Sequence, residues 1–546
     1  MFALRSLSTI SSISVTFLLA WLLVLVLFRC VQRLRARNAV AFFHPQCSGM
    51  GGGERVLWCA VVEILKDADV VIYTTPSNAA KKEEILQRVE SGFGIPLQQG
   101  PGKRTLTFVP VKLFALTNNP RLFPVFTLLL QNLCSILVAV EACVKCPCKI
   151  FIESTGFGFA LPVAKWLGST FVATYIHYPT MSFDMISRVQ NNVHMYNNQA
   201  WISKSVVLTK VKLGYYHLFL LLYGLSGYFA DHVWCNSSWT RSRILRIFFK
   251  NSNIDLLFPP TDLENLVAAG DKELLSKESP SKTNSITTEG PAVEVAPARN
   301  TTTSSTETRN TTSGTTSVGR GTKLPGMKRA NRVVSLAQFR IEKDHRLQIE
   351  AFAEAWRKKM LPLDACLDMM GSTRNADDEA LAGGLEHFVE ELGLSDRVKI
   401  CRNLPFPDVV AKLRSSKVAI HTMRDEHFGI TVVEFVAARL LCVCHRSGGP
   451  KEDILCTTDL QRQLLAESRT EFAEALGRAF SCYDDATADL DAAIAGLSRF
   501  PDNVAFGRAI AGFVAEKMAE NVDLTTWRNL FFSSSLTREK TDKQNR

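Results

Sequence analysis

Two glutamates eight residues apart, Glu426 and Glu434, flank Gly429, and this segment constrains the fold more than any other part of the chain. Before it, Lys417-Val418-Ala419-Ile420-His421 reads as a short buried strand. After it, Ile430 to Ala438 reads as a helix with Glu434 in its first turns. Gly429 falls at the turn, where the backbone needs a positive φ or close approach to a ligand. The helix start directs free N–H groups at whatever lies above the strand end, which suits a diphosphate. Were the whole segment helical, the glutamates would stand roughly 12 Å apart in rise. That exceeds the about 5–9.5 Å of a glycosidase acid/base pair, and suits two ends of one extended ligand.

Strand and helix alternate around this unit. Arg332 to Leu336, Asp364 to Gly371 and Val398 to Arg402 read as strands. Helices are predicted up to Lys358, over Asp378 to Leu392 and over Pro407 to Ser415. Earlier in the chain, Ala39 to Phe43 is a strand that runs through Pro45 to Glu54, including Gly51-Gly52-Gly53, into a helical pattern from Arg55 to Lys66. Val70 to Thr74, Lys149 to Glu153, Phe171 to His177 and Ala230 to Asn236 are further strands, the last of these taken as the final strand of the first domain. The expected fold is α/β, with two Rossmann-like doubly wound domains. Residues 38–258 form the first, 330–500 the second and 501–546 C-terminal helices and a tail.

Ile10 to Phe28 is apolar and long enough for one span of roughly 20 residues. Arg29, Arg33, Arg35 and Arg37 follow it, whereas only Arg5 precedes it, so residues 1–37 read as an uncleaved transmembrane anchor with the bulk of the chain in the cytosol. Phe123 to Val144 and Leu213 to Phe229 are also apolar, but Pro124, Gln131, Asn132 and Glu141 interrupt the first, and Tyr and His the second. Both read as helices that pack on the core or lie in the membrane interface. Residues 272–329, rich in Ser, Thr, Pro and Asn, read as a disordered insertion. Its sequons at Asn300 and Asn310 would stay unused in the cytosol. The net charge is +10 without an RNA-binding module, so anionic headgroups or diphosphates are expected partners and nucleic acid is not. Cys143, Cys146 and Cys148 lack zinc spacing, and no metal site is predicted.

These motifs carry a resemblance. The chain is similar to the GT-B glycosyltransferases of retaining family 4, and within it to the dolichol-linked-oligosaccharide α-1,2-mannosyltransferases of asparagine-linked glycosylation. The carriers are Phe43-His44-Pro45, Gly51 to Trp58, Tyr175 to Thr180 and Trp234 to Thr240 in the first domain. In the second they are Gln338-Phe339-Arg340 with Glu342-Lys343, His421-Thr422-Met423, Glu426 to Ile430 and Ser447 to Lys451. The resemblance covers nearly the whole chain outside 272–329. The paired glutamates alone imply only the broad family, and the Gly-triplet and His-Tyr-Pro-Thr motifs narrow it. The chain departs from the pattern at Arg439, where Gly usually follows two alanines, and at Ile341, where Pro is common.

The resemblance implies two domains facing a cleft, GDP-mannose as donor, a dolichyl-diphosphate oligosaccharide as acceptor and the endoplasmic reticulum membrane as location. It admits other mannosyltransferases of that lipid-linked pathway as partners. It implies no cofactor and no metal, because fixed positive charge and helix dipoles neutralise the leaving diphosphate. Arg340 and Lys343 are the candidates for that charge. Glu426 is assigned to sugar hydroxyls, Glu434 to the ribose and His177 to the neighbourhood of the reacting carbon. Gly51, Gly52 and Gly53 are expected to let backbone N–H groups approach the donor phosphate or the acceptor, and with Phe428, Gly429, Ile430, Gly448 and Gly449 to shape the donor site. His44, Tyr178 and Thr180 are placed on the acceptor side. Two other readings stay open: a membrane-bound GT-B transferase with another donor or lipid acceptor, and a catalytically inactive binding subunit.

Overall fold

A computed structural model describes residues 20–97, 104–118, 122–123, 125–190, 206–249, 253–263, 266–267 and 329–520. Most of the predicted anchor, nearly all of the 272–329 insertion with both sequons, and the tail beyond 520 lie outside them.

The first domain is a seven-stranded parallel sheet in the order β3-β2-β1-β4-β5-β6-β7. Its strands are β1 (Arg37–Phe43), β2 (Asp69–Thr74), β3 (Leu106–Pro110), β4 (Cys148–Glu153), β5 (Phe171–Ile176), β6 (His232–Cys235) and β7 (Ile254–Leu256). β1 reads as a continuous apolar run because both faces of the sheet are covered. Val40 and Phe42 enter one core layer, with Trp58 and Val61 of the Gly52–Ile64 helix. Ala41 and Phe43 enter the opposite layer, with the Thr127–Lys145 and Ala160–Leu167 helices. The expectation that Ala230 to Asn236 is the last strand of the domain is corrected by β7, which extends the sheet by one strand and still falls within 38–258. Three residues with one buried side chain give no alternation to read, so β7 was invisible in the sequence.

The second domain is a six-stranded parallel sheet in the order β10-β9-β8-β11-β12-β13. Its strands are β8 (Ala330–Leu336), β9 (Cys366–Gly371), β10 (Val398–Arg402), β11 (Ser416–His421), β12 (Leu441–His445) and β13 (Leu465–Ala466). In both sheets the strand order reverses between two neighbours, β1 and β4 in the first, β8 and β11 in the second. Ligands of doubly wound sheets bind outside the carboxyl ends of such strands. The C-terminal segment does not stay with the second domain. Residues 503–520 form a helix whose Phe506, Ile510 and Val514 pack into the first domain's core beside Trp58 and Tyr175.

Residues 20–35 are helical, and Trp21, Leu23, Val24, Val26 and Leu27 are all exposed. Among the described residues, Thr127–Lys145 is the one helix long and apolar enough to cross a membrane by length and composition. Val138, Ala139, Ala142 and Cys143 place one face of it in the first domain's core. Its Glu141 accepts from the N–H groups of Lys112 and Leu113, at 3.0 and 2.8 Å. One face of the segment thus packs on the core, while Leu133, Leu137 and Val140 on the other face stay exposed.

Arg439 occupies the position where the resemblance has Gly. The Ile430–Ala437 helix ends in a Schellman motif, with Arg439 N–H to Val436 C=O at 2.9 Å and Leu440 N–H to Phe435 C=O at 3.0 Å. The motif forces a positive φ of 61° on Arg439. The guanidinium is held by Asp491 at 2.6 Å. Because Ala carries the same left-handed strain without that pair, Arg439→Gly should be more stable than Arg439→Ala by about 1 kcal/mol. Equal thermal midpoints for the two variants would contradict this.

Candidate active site

The first switch point assembles His44, just past β1, and the segment that follows β4. His44 is buried, and its Nδ1 meets Ser154 Oγ at 2.9 Å. Burial, with His177 nearby, lowers its pKa to about 3, so the ring is neutral. His177 follows β5, and burial and His427 lower its pKa to about 4. Thr180 Oγ1 donates to the carbonyl of Gly156 at 2.8 Å, tying the His-Tyr-Pro-Thr segment to the loop after β4.

The Gly triplet works differently from the sequence expectation. None of Gly51, Gly52 and Gly53 has a positive φ. Gly51 is the N-cap residue of the Gly52–Ile64 helix, and its N–H is taken by Glu54 Oε2 at 3.1 Å. That N–H is therefore not free for a phosphate, which corrects the reading of Gly51. What the other two glycines provide is room. A Cβ on Gly52 would lie 3.1 Å from Ile430 of the second domain, and one on Gly53 would lie 3.7 Å from His177 Nε2.

The second switch point assembles Lys343, after β8, with His421 and Glu426, after β11. Glu426 Oε2 accepts from Lys343 Nζ at 2.6 Å and lies 2.9 Å from His421 Nε2. Burial alone would raise the Glu426 carboxyl. Lys343 and His421 outweigh it and hold the group well below the usual carboxylate range. Thr422 Oγ1 donates to the carbonyls of Lys343 and Asp344 at 2.8 and 2.9 Å, which fixes the two loops against each other. Arg340 sits farther out, half-exposed and 3.2 Å from Glu342.

Gly429 has the expected positive φ, 98°, and is the N-cap residue of the Ile430–Ala437 helix. Gly448 (φ 71°) and Gly449 lie directly behind Glu426. A Cβ on Gly448 would overlap the Glu426 backbone, and one on Gly449 would overlap the Phe428 carbonyl. Gly449 N–H donates to the Glu426 carbonyl at 2.8 Å. Both glycines thus shape the site by letting one loop back the other. The Phe428 ring lies in the core between Phe258 and Phe500, so any contact it makes with a ligand runs through its backbone.

The two walls meet. Tyr178 stacks on His427 with ring centroids 4.0 Å apart, and the Asp453 carboxylate of the second domain accepts from Ser238 N–H of the first at 2.9 Å. Glu434 faces charges of the first domain and the linker. Burial pushes its carboxyl up to about 7, with Arg55 opposing the rise and Asp262 adding to it. For an acid raised in the folded state, the benefit of carrying it neutral is complete below its unfolded value and is lost as pH rises through 7. Glu434→Gln should therefore raise the melting temperature at about pH 8 and leave it unchanged near pH 4. Equal midpoints for wild type and variant at the higher pH would refute this.

The structure thus brings Lys343, Glu426, Gly448 and Gly449 together on one wall, and His44, His177, Gly53 and Thr180 on the other. Tyr178, Gly52, Ile430 and Glu434 lie where the walls meet, and Arg340 stands at the margin. The sequence reading omitted Ser154 and His427 as site residues. His427 alone carried a signal, since it adjoins Glu426.

Two doubly wound domains with facing switch points are the GT-B arrangement. A family model described as "Glycosyl transferases group 1" matches residues 323–489. A solved alpha,alpha-trehalose-phosphate synthase (UDP-forming) from Burkholderia vietnamiensis shares the fold at a TM-score of 0.55 and 11% identity, covering 88% of this chain and 99% of that one. The chain is a glycosyltransferase of this class. A second model, described as "ALG11 mannosyltransferase N-terminus", matches residues 37–248. The chain is 35% identical over 470 residues to a protein of Homo sapiens, covering 85% of this chain and 84% of that one, and 32% identical over 447 residues to one of Dictyostelium discoideum, covering 80% and 76%. Both are named GDP-Man:Man(3)GlcNAc(2)-PP-Dol alpha-1,2-mannosyltransferase, and the chain belongs to that family.

Proposed function

We propose that this enzyme is a retaining α-1,2-mannosyltransferase that adds the fourth and fifth mannoses from GDP-mannose to Man(3)GlcNAc(2)-PP-dolichol. It works on the cytosolic face of the endoplasmic reticulum, held by a single N-terminal span. The observation that carries the substrate assignment is similarity across both domains to proteins bearing that name. The exposed apolar helix at 20–35 supports the anchor.

Lys343 and Arg340 receive the donor diphosphate, while Glu426, kept ionised by Lys343, holds mannose hydroxyls. Glu434 takes the ribose, Gly429 and Ile430 present the helix start to the diphosphate, and His177 lies beside the reacting carbon. His44, Tyr178 and Thr180 border the acceptor. The bond from mannose C1 to the phosphate oxygen breaks as C1 bonds to the acceptor hydroxyl oxygen on the same face. The hydroxyl proton passes to the leaving diphosphate. Fixed positive charge takes the place of a divalent ion in this reading.

Membranes containing the enzyme, supplied with GDP-mannose and the dolichyl-diphosphate acceptor, should yield products longer by one and two mannoses, trimmed by an α-1,2-mannosidase. Turnover should persist in excess EDTA. Transfer from UDP-GlcNAc in place of GDP-mannose would overturn the donor assignment. Glycosidase-sensitive glycans at Asn300 or Asn310 would overturn the cytosolic one.

A further inference from the structure

The motif Trp234 to Thr240 ends β6 and opens the Ser238–Ile247 helix. The first turns of that helix meet the second domain through three residues. Ser238 N–H donates to the Asp453 carboxylate at 2.9 Å. Trp239, 2% exposed, lies parallel to Tyr178 with ring centroids 6.0 Å apart, and its indole is 6.2 Å from the His427 ring. Arg243, one turn further on, brings Nη1 to 3.7 Å from Glu452 Oε1.

The same guanidinium is fixed on the first domain. Its Nε donates to Asp184 Oδ2 at 3.0 Å, and Nη1 donates to Ser242 Oγ at 3.0 Å and to the Trp239 carbonyl at 3.4 Å. Its central carbon lies 4.1 Å from the centroid of the Trp239 ring. A planar fork meets two carboxylates in two fixed directions at once, which a lysine ammonium cannot do. Here the two carboxylates belong to opposite walls of the cleft. Asp184 opens the Phe183–Gln190 helix, which follows Tyr178 and Thr180 on the acceptor side. Glu452 lies in the Pro450–Ile454 turn, which follows Gly448 and Gly449 behind Glu426 on the donor side. Without the guanidinium, two like charges would face each other across the domain boundary.

We infer that Arg243 is a positioning residue that holds the acceptor-side helix Phe183–Gln190 in register with the donor-side turn Pro450–Ile454, so that the acceptor is seated against the donor-binding wall. It acts through Asp184 and Glu452, and no contact with either substrate is assigned to it. The inference rests on the proposed glycosyl transfer at this cleft. The two fail separately, because a wrong donor leaves the wild type without turnover on GDP-mannose, whereas the Arg243 comparison uses whichever donor and lipid acceptor the wild type consumes.

Steady-state kinetics of the full chain in membranes, with donor and acceptor varied in turn, test it. Arg243→Gln should raise the acceptor KM about 5- to 20-fold while the donor KM stays within about twofold. Glu452→Gln alters the donor-side domain, yet it should raise the acceptor KM about two- to threefold and leave the donor KM within the same limit. Adding Glu452→Gln to Arg243→Gln removes the facing charges and should lower the acceptor KM again by about threefold. If Arg243 served only to pack on Trp239, the second substitution would bring no recovery. Where Arg243→Gln does not accumulate, Asp184→Asn takes its place and should raise the acceptor KM about two- to threefold with the donor KM unchanged. An unchanged acceptor KM in Arg243→Gln, a matching rise in its donor KM, or a double variant no better than Arg243→Gln would overturn the inference. An unchanged acceptor KM in both Asp184→Asn and Glu452→Gln would overturn it as well.

Discussion

Glu426→Ala should lower kcat by about 100- to 1,000-fold or more while the protein still folds. Removing one carboxylate takes away the hydroxyl acceptor assigned to the donor sugar and releases Lys343, which then pairs with whatever anion is nearest. Breaking a fully buried ion pair costs about 3–5 kcal/mol. Here Lys343 keeps some contact with solvent, its side chain being 20% exposed, so a cost of about 1–3 kcal/mol is expected. The depressed Glu426 carboxyl gives the sign of the pH effect. Its stabilisation is present above the unfolded carboxylate value and is lost as pH falls through its lowered folded value. The melting-temperature gap between wild type and Glu426→Ala should therefore be full at neutral pH and close only in strong acid. Wild-type turnover in the variant would remove Glu426 from the mechanism. An open gap at the acid extreme would remove the ion pair from the stability argument.

Gly448→Ala is expected to be nearly as damaging, although it adds one methyl group and removes no chemistry. The residue has φ 71°, which costs an L side chain about 1 kcal/mol. The added Cβ would also overlap the Glu426 backbone carbonyl. Relief requires the Glu426 loop to move, at about 1–3 kcal/mol for overpacking. Since Gly449 N–H also holds that carbonyl, the shift passes directly to Glu426. A misplacement of about 1 Å is enough to lower kcat roughly 100-fold. Gly383→Ala, in open space inside a helix, is the control: it should leave kcat unchanged and, through helix propensity, stabilise by roughly 0.5–1 kcal/mol. Full activity and stability in Gly448→Ala would show that the glycine is incidental.

Both effects trace back to how much of the site the chain displays locally. The strand at 416–421, the turn at Gly429 and the helix carrying Glu434 were readable because all three lie within some twenty residues of chain, and strand burial, turn geometry and helix start each leave a residue pattern. The glycine pair at 448–449 was readable as a motif, but its partner was not. Gly51 was misread for a related reason: the sequence shows three glycines but not the Glu54 carboxylate folding back onto the first N–H. β7 was missed because three residues give no period, and the return of 503–520 to the first domain because an amphipathic helix does not name the face it will cover.

By itself, the sequence determined the alternation of buried strands and helices that yields two parallel sheets. It also determined the positions of Glu426, Glu434, Gly429, Arg340 and Lys343, and the family resemblance that those residues carry. Tertiary structure alone decided which of them meet. Lys343 reaches Glu426 across 83 residues of chain, and His44 reaches Ser154 across 110. Both contacts exist because strand order reverses between β1 and β4 and between β8 and β11. Sheet order is set by long-range packing of nearly interchangeable apolar strands, which leaves little trace in any local run of residues.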